Sequence, residues 1–528
     1  MKKLVLVLMC LVLTVVFASC NSVQKCRKHL DENNDGLCEK CGDDAEDKSN
    51  CPHTDADDDF VCDKCEMSFS DGKDVERTPT QGIIYSVSKN GTYAIVTGYS
   101  GTDAEVVVDS TYNGLPVKEI TDKAFTDCTI ITKVIVSDGI KEIDPFVFEN
   151  CTNLTSIIIP SSVKYISASF ETCTSLTSIN VDPDNKHYKS VKGNLYSKNG
   201  KTLEQYAIGK KETSFVVPNI VKKIDSNSFN GCTSLTSITI PESVTSIGYF
   251  TFENCIGLTS ITIPDSVTEV GGYAFGDCTN LTSAIIGNGV VDISTVFSNC
   301  TNLTSVTLGN SLTSIGSHAF WYCNSLTNIN IPESVTIIDD GAFCNCSSLT
   351  SVTIPNGVTK IGAKAFSGCD SITSITIPDS VSIIGDEAFA HCKNLTTINV
   401  DVNNEHYKSI DGNLYSKNGK LLINGAVEKQ DSTFIIPDGV EVICDRAFYS
   451  LKEVKCLVIP KSVTSIGHAA FYLYKSNVYY KGTVDDWSNI SIGEYNINFA
   501  TTYYYSDSEP TEEGNYWHYD ENGEIAVW

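Results

Sequence analysis

The sequence predicts a mainly β repeat solenoid: a right-handed array with a long parallel sheet, two β-hairpin insertions and small N- and C-terminal caps. The stretch TSLTSITIPESVTSI, from Thr233 to Ile247, recurs in close copies down most of the 528 residues. Phenylalanines of an Ala-Phe-x-x-Cys motif recur every 22 or 23 residues, from Phe125 through Phe252 and Phe320 to Phe471, with two steps of 59. One such unit buries too few apolar side chains to offset the entropy of ordering its own backbone, so neighbours must share a core and complete each other's strands. The thirteen motif phenylalanines imply about thirteen coils, and strands ~4.8 Å apart give a sheet of roughly 60 Å.

Residues 1–19 read as a signal peptide. Met1-Lys2-Lys3 is a short basic start, and Leu4 to Phe17 is an apolar run of 14, too short to span a bilayer. It ends in Phe17-Ala18-Ser19-Cys20, which resembles a bacterial lipobox. That resemblance implies acylation of Cys20 and an exported, membrane-tethered chain, with several acyl chains giving firm anchorage. The alternative is ordinary signal cleavage beside an incidental cysteine.

Residues 20–78 form an acidic, cysteine-bearing stalk, with 17 Asp/Glu against 8 Lys/Arg between Asn21 and Arg77. Two units, CRKHLDENNDGLCEKC and CPHTDADDDFVCDKC, share one pattern. A zinc reading takes Cys26, His29, Cys38 and Cys41, then Cys51, His53, Cys62 and Cys65, four soft or borderline ligands each. A calcium reading takes Asp31, Asn33 and Asp35, then Asp55, Asp57, Asp59 and Glu66, like the start of an EF-hand loop. Each unit lacks part of the calcium pattern. A third reading is an acidic spacer whose cysteines pair after export. So little apolar content needs a staple of some kind to fold.

Residues 79–475 are the solenoid, with an N-cap at 79–120. Within one coil, Leu235, Ile238 and Ile240 point inward, Thr236, Ser237 and Thr239 point out, and Pro241 stops the strand. Val244 and Ile247 fill the turn, and Phe252 and Cys255 pack from the opposite wall. Apolar residues at Leu-x-x-Ile-x-Ile with this period are a leucine-rich-repeat signature. The two long steps hide one insertion used twice, at about 180–217 and 399–436, offset by 219 residues. In each, Ser-Lys-Asn-Gly-Lys predicts a hairpin projecting from the array, with Asn-Gly in a type I′ turn. Residues 476–528 form an aromatic C-terminal cap.

The repeats, the Ala-Phe-x-x-Cys walls and the Gly-Asn-Leu-Tyr-Ser-Lys-Asn-Gly-Lys hairpins resemble the BspA-like leucine-rich-repeat family of bacterial surface proteins. The likeness runs from about Ile84 to Phe471. Its first part, Tyr85 to Ile120, resembles that family's opening cap, and VYYKGTVDDWSNI and YWHYDENGEIAVW after it resemble the closing segment. The resemblance implies adhesion to host matrix proteins or to other bacteria, and it offers no residue-level binding site to carry over.

The outward positions repeat as Thr236, Ser237 and Thr239, then Thr259, Ser260 and Thr262, then Thr304, Ser305 and Thr307. They continue as Thr350, Ser351 and Thr353, then Thr373, Ser374 and Thr376. They predict a flat, uncharged face of hydroxyls that could dock an extended protein or glycan. The plainer reading is that β-branched Thr suits a solvent-facing strand. Lys133, Asn180, Asn330, Asn399 and Lys455 break the pattern and are candidate contact points. His318, Trp321 and Tyr322 form either an exposed aromatic patch or a packing variant. The wall cysteines read as small core residues, while Cys344, Cys444 and Cys456 fall off the pattern.

A net charge of −27 argues against nucleic acid and against anionic lipid as a docking surface. No His-Glu-x-x-His, phosphate-cradling Gly-rich loop or Gly-x-Ser-x-Gly is present, so the chain reads as a binder and not an enzyme, with no cofactor in the array. A protein partner leads. A glycan held by the hydroxyls and by Tyr503, Tyr504, Tyr505, Trp517, Tyr519 and Trp528 is the alternative, and a passive spacer the third reading.

Overall fold

The computed structural model describes residues 80–167, 170–426, 433–448, 454–471, 476–496 and 499–528. Most coils contribute a strand of three or four residues to one parallel ladder and a two-residue strand to a second, although the first ladder narrows to two residues at Asn328–Ile329 and Ser351–Val352. The first ladder runs through Glu105–Val108, Lys133–Val136 and Ser156–Ile159, and later through Ser237–Thr239 and Ser260–Ile263. The second runs through Glu142–Ile143, Lys223–Ile224 and Ser246–Ile247. In register, Ser260 faces Ser283 and Ile261 faces Ala284, so equivalent residues stack coil upon coil. The inward set is as the pattern predicts: Leu235, Ile238, Ile240, Val244, Ile247, Phe252 and Cys255 are all buried.

The array reaches about 17 turns, not thirteen, because the insertion coils and both end segments continue the ladders without the Phe motif. At ~4.8 Å per strand the stack is roughly 80 Å long. One wall is a column of aromatic rings. Tyr206, Phe229, Phe252, Phe275, Phe297, Phe320, Phe343, Phe366 and Phe389 stack with successive centroids 4.9 to 5.9 Å apart. Tyr206 thus fills the wall place that the first 59-residue step left without a phenylalanine. The second step has Gly425 there, and the Phe448 ring occupies the space a side chain would need.

The repeated polar residues are donors to carbonyls of the preceding coil. Thr236 Oγ1 donates to the Thr213 carbonyl (3.0 Å), and Thr259 Oγ1 to that of Thr236 (3.2 Å). Ser243 Oγ donates to the Val221 carbonyl (2.8 Å), and Ser266 Oγ to that of Val244 (2.7 Å). Wall thiols do the same: Cys255 Sγ lies 3.2 Å from the Phe229 carbonyl and Cys278 Sγ 3.1 Å from that of Phe252. Most of these carbonyls also accept a backbone N–H, as Thr213 does from Thr236 N (2.8 Å) and Phe229 from Cys232 N (2.9 Å), so the side chains add a second donor that ties each coil to the one before.

The hairpins form where predicted but do not project. The central strand Asn194–Ser197 lies between Tyr188–Val191 and Thr202–Gln205, and Thr202–Gln205 pairs on into the second ladder with Lys223–Ile224. Leu195 packs into the core that precedes it and Tyr196 into the core that follows. Leu414 and Tyr415 repeat this division in the second insertion. Each hairpin is therefore a septum across the array. Its type I′ turn is at Lys192-Gly193 (φ 49° and 76°) and again at Asp411-Gly412, not at Asn199-Gly200, where only Gly200 has positive φ. Gly200 N donates to the Ser197 carbonyl, a type I turn closed by a left-handed glycine. Buried Asn185 anchors the insertion: its Nδ2 donates to the carbonyls of Pro160 and Val163, each 2.9 Å away, and its Oδ1 accepts from His187 N and Tyr188 N. Asn404 makes the corresponding four bonds.

At the N-terminal end, Ile83–Val87 pairs antiparallel with Ala94–Tyr99, which joins Leu115–Ile120 in parallel. At the other end, Ser476–Tyr480 and Phe499–Tyr505 extend the first ladder in parallel, and a short helix, Val484–Ser488, lies between them.

Candidate binding surfaces

The Ser/Thr face is present on the outside of the first ladder. All fifteen positions from Thr236 to Thr376 named above are exposed. They are not chemically alike. In four of the five coils the first Thr spends its hydroxyl proton on the preceding coil, as Thr304 does to the Thr282 carbonyl (2.9 Å) and Thr350 to that of Thr327 (3.0 Å), Thr373 being the exception. The second and third positions have no side-chain hydrogen bond among the described residues. Ser237 and Thr239, Ser260 and Thr262, Ser305 and Thr307, Ser351 and Thr353, and Ser374 and Thr376 are the hydroxyls available to a partner.

The face is also less uniform than its repeat predicts, and Thr307 is where it departs. Thr307 ends the strand Ser305–Thr307, beside a Val306 that is only half-buried. Leu308-Gly309 follows it, where Thr239, Thr262, Thr353 and Thr376 are each followed by Ile-Pro. Of the pattern breaks, Asn330, Asn399 and Lys455 are exposed. Lys133 pairs with Glu105 at 3.1 Å, and Asn180 Oδ1 accepts from Ser178 Oγ at 2.8 Å. Sequence reasoning missed a second set. Val216, Ile285 and Ile435 put exposed aliphatic side chains at the third position of the face, and the signal was there in the Thr that each replaces.

His318, Trp321 and Tyr322 do meet, with Trp321 and Tyr322 ring centroids 4.4 Å apart and His318 6.0 Å from Trp321. Tyr322 borders a groove of about 410 Å³ on the turn side, shared with Cys344, Lys364, Asp370, Glu387, His391, Lys393 and Arg446. None of the Ser/Thr face, Thr307 included, lines this groove. Its charges are largely spent on each other. Arg446 reaches over the second insertion to Glu387, and Lys393 pairs with Asp370 at 2.5 Å. Burial and the nearby Arg446 guanidinium hold His391 below its ordinary pKa. Cys344 is half-buried and burial raises its thiol pKa despite the Lys364 ammonium, while burial pushes Cys444 up to about 11. Neither forms a thiolate readily at neutral pH. Every described cysteine is a free thiol.

The C-terminal aromatics form a small core of their own. Trp517 is wholly buried, its Nε1 donating to the Tyr480 carbonyl (3.0 Å). Tyr479 and Tyr503 stack at 5.1 Å, and Tyr479, Tyr505 and Tyr519 meet Trp517 edge-on. Trp528 stays exposed and stacks on His518 at 3.8 Å. Cys20 and the stalk residues Cys26 to Glu66 lie outside the described residues. No helix among the described residues is long and apolar enough to cross a membrane.

The sequence profile described as BspA type leucine rich repeat region matches in six copies, over residues 112–211, 201–327, 313–422 and 428–496. No curated protein matches the chain significantly. Among solved structures, a leucine-rich repeat protein from Eubacterium ventriosum is 24% identical over 55% of this chain and 93% of its own, with a TM-score of 0.45. One from Bacteroides ovatus is 24% identical over 74% and 95%, with a TM-score of 0.42. A leucine rich cell surface protein from Faecalibacterium prausnitzii is 21% identical over 79% and 98%, with a TM-score of 0.25. With the profile covering well over half its length, the chain belongs to the BspA-type leucine-rich repeat family.

Proposed function

We propose that this is an exported bacterial surface protein, tethered through lipid on Cys20, whose array binds other surface proteins and so mediates adhesion. The observation that carries the reading is the set of unspent hydroxyls at the second and third positions of the first ladder, repeated without charge in five coils and interrupted at Ile285 and at Asn328 and Asn330. Weak, identical contacts along such a row add by avidity, and repeat arrays present extended surfaces suited to protein partners. The family is one of repeat scaffolds, which fits a binder better than an enzyme. In this reading the stalk, holding zinc or calcium, spaces the array from the membrane. The glycan alternative loses its aromatic platform, because Trp517 and its neighbours pack on one another.

The test is binding of residues 21–528 to immobilised matrix proteins, with a glycan array alongside. Saturable protein binding that falls when Thr239, Thr262 and Thr353 are changed together to Lys supports the reading. Binding that ignores those changes removes the Ser/Thr face from it, and metal analysis of the same sample decides between zinc and calcium.

A further inference from the structure

The place just before the paired residues of each short strand in the second ladder is lysine in the first third of the array. Lys118, Lys141 and Lys164 precede the first hairpin, Lys201 stands just before its third strand, and Lys222 follows it. Backbone bonds fix their register: Lys141 N donates to the Lys118 carbonyl (2.7 Å), Lys164 N to that of Lys141 (2.8 Å) and Lys222 N to that of Lys201 (2.7 Å). Within each group the side chains therefore leave the same face one strand apart, about 4.8 Å. All five are exposed. None has an ion-pair partner among the described residues, although nearby Lys223 pairs with Asp225 at 2.7 Å. Lys118 instead lies 5.2 Å over the Tyr93 ring.

Like charges facing each other on adjacent strands are destabilising, and the second insertion shows how the fold avoids this. There Lys420 stands at the place of Lys201 and Glu441 at that of Lys222, 219 residues on in each case. The two pair at 2.8 Å. The local composition differs in the same sense. Residues 118–223 hold fourteen lysines and twelve acidic residues, whereas residues 224–407 hold three lysines and sixteen acidic residues. Glu119 and Glu142 stand in the next column of the ladder, so the positive field is a narrow track. At physiological ionic strength such a track acts over about 8 Å.

We propose that this lysine row is a binding track for a linear anionic polysaccharide, one bearing carboxylate or sulfate groups, laid along the axis of the array. A row of evenly spaced ammonium groups suits a polymer with repeated charge better than a single compact anion. Tyr165, 63% exposed beside Lys164, offers an aromatic face on which a sugar ring can lie. A nucleic acid duplex, with a charge about every 1.7 Å, would set far more negative charge against an acidic protein than a glycan does. The track is on a different ladder from the Ser/Thr face, so it stands independently of the protein-binding reading.

The test is calorimetric titration of the whole chain with a polyuronate and with chondroitin sulfate, against polyglutamate and a single-stranded oligonucleotide of equal charge. Lys222→Glu recreates the pair seen at Lys420 and Glu441, so its melting temperature should hold or rise while glycan affinity falls several-fold. Lys118, Lys141 and Lys164 changed together to Gln should lower affinity at least tenfold, and added salt should weaken the wild type. Binding of either glycan on these terms supports the track and identifies its anionic group. No glycan binding by the wild type, unchanged affinity in both variants, or equal binding of polyglutamate or oligonucleotide would overturn it.

Discussion

The thiol of Cys323 donates to the backbone carbonyl of Phe297, one coil earlier, across 3.2 Å. The same bond recurs from Cys300 to Phe275 and from Cys346 to Phe320, which explains why the wall uses cysteine where alanine or valine would also fit the volume. Cys323→Val keeps the bulk and removes a second donor from a carbonyl that also accepts from Cys300 N, so it should cost about 0.5–1.5 kcal/mol. Urea unfolding of the variant beside Cys323→Ser, which keeps a donor, checks this; equal losses in the two would mean the bond is not what matters. Burial pushes Cys278 up to about 12, so the wall thiols should resist alkylation until the array unfolds.

The four bonds of Asn185 hold the first septum in place. Asn185→Asp keeps the two acceptor contacts but faces the Pro160 and Val163 carbonyls with oxygen. A loss of about 3 kcal/mol is expected, since each unsatisfied buried group costs about 1–3 kcal/mol. Asn404→Asp should match it in the second septum. A shift in denaturation midpoint below a third of that would show the septa are held by their apolar residues alone.

Glu204 makes stability depend on pH. Burial, with the Asp225 charge behind it, raises its pKa from 4.5 to about 7. The folded chain then binds a proton that the unfolded chain has released, and this group's contribution favours folding at pH 5 and is lost as pH rises through 7. The second insertion has Ile423 at the corresponding place. Melting curves at pH 5 and pH 8 should differ less in Glu204→Gln than in the wild type, and an unchanged difference would assign the dependence elsewhere.

Tyr322 holds a left-handed backbone, φ 57°, where neighbouring coils have Asn299 and Asn345. Left-handed conformation costs a bulky residue roughly 1 kcal/mol more than asparagine. Tyr322→Asn should therefore raise stability by up to about 1 kcal/mol, less whatever the Trp321 contact returns. A fall in melting temperature would mean the aromatic contact outweighs the backbone strain.

Much of this architecture was legible because one coil repeats. The inward places of Leu235, Ile238 and Ile240, the Phe252 column and the burial of Cys255 all follow from period and residue type. What was not legible has a common cause: a side chain's direction says nothing of the backbone carbonyls beside it. Thr236 reads as an outward hydroxyl, yet its proton is committed to Thr213, while Thr307 reads the same way and keeps its own. The hairpins read as projections because the Asn-Gly signal marks a turn without saying where its strands pack, and nothing in the short apolar pair Leu195-Tyr196 marks both faces as dry. The lysine row stayed hidden because its members are 21 to 37 residues apart and become neighbours only by stacking.

The septa divide the apolar interior into separate bodies, with Leu195 in the first, Tyr196 and Leu414 at the two ends of the second and Tyr415 in the third. Pulled between a membrane tether and a distant partner, such a chain need not tear as a whole. Each body can give way in turn, releasing slack while the next remains shut, so a single-molecule stretching trace should show discrete rips in place of one. A cell holding on through this protein would have a shock absorber whose stages are set by where the two hairpins cross.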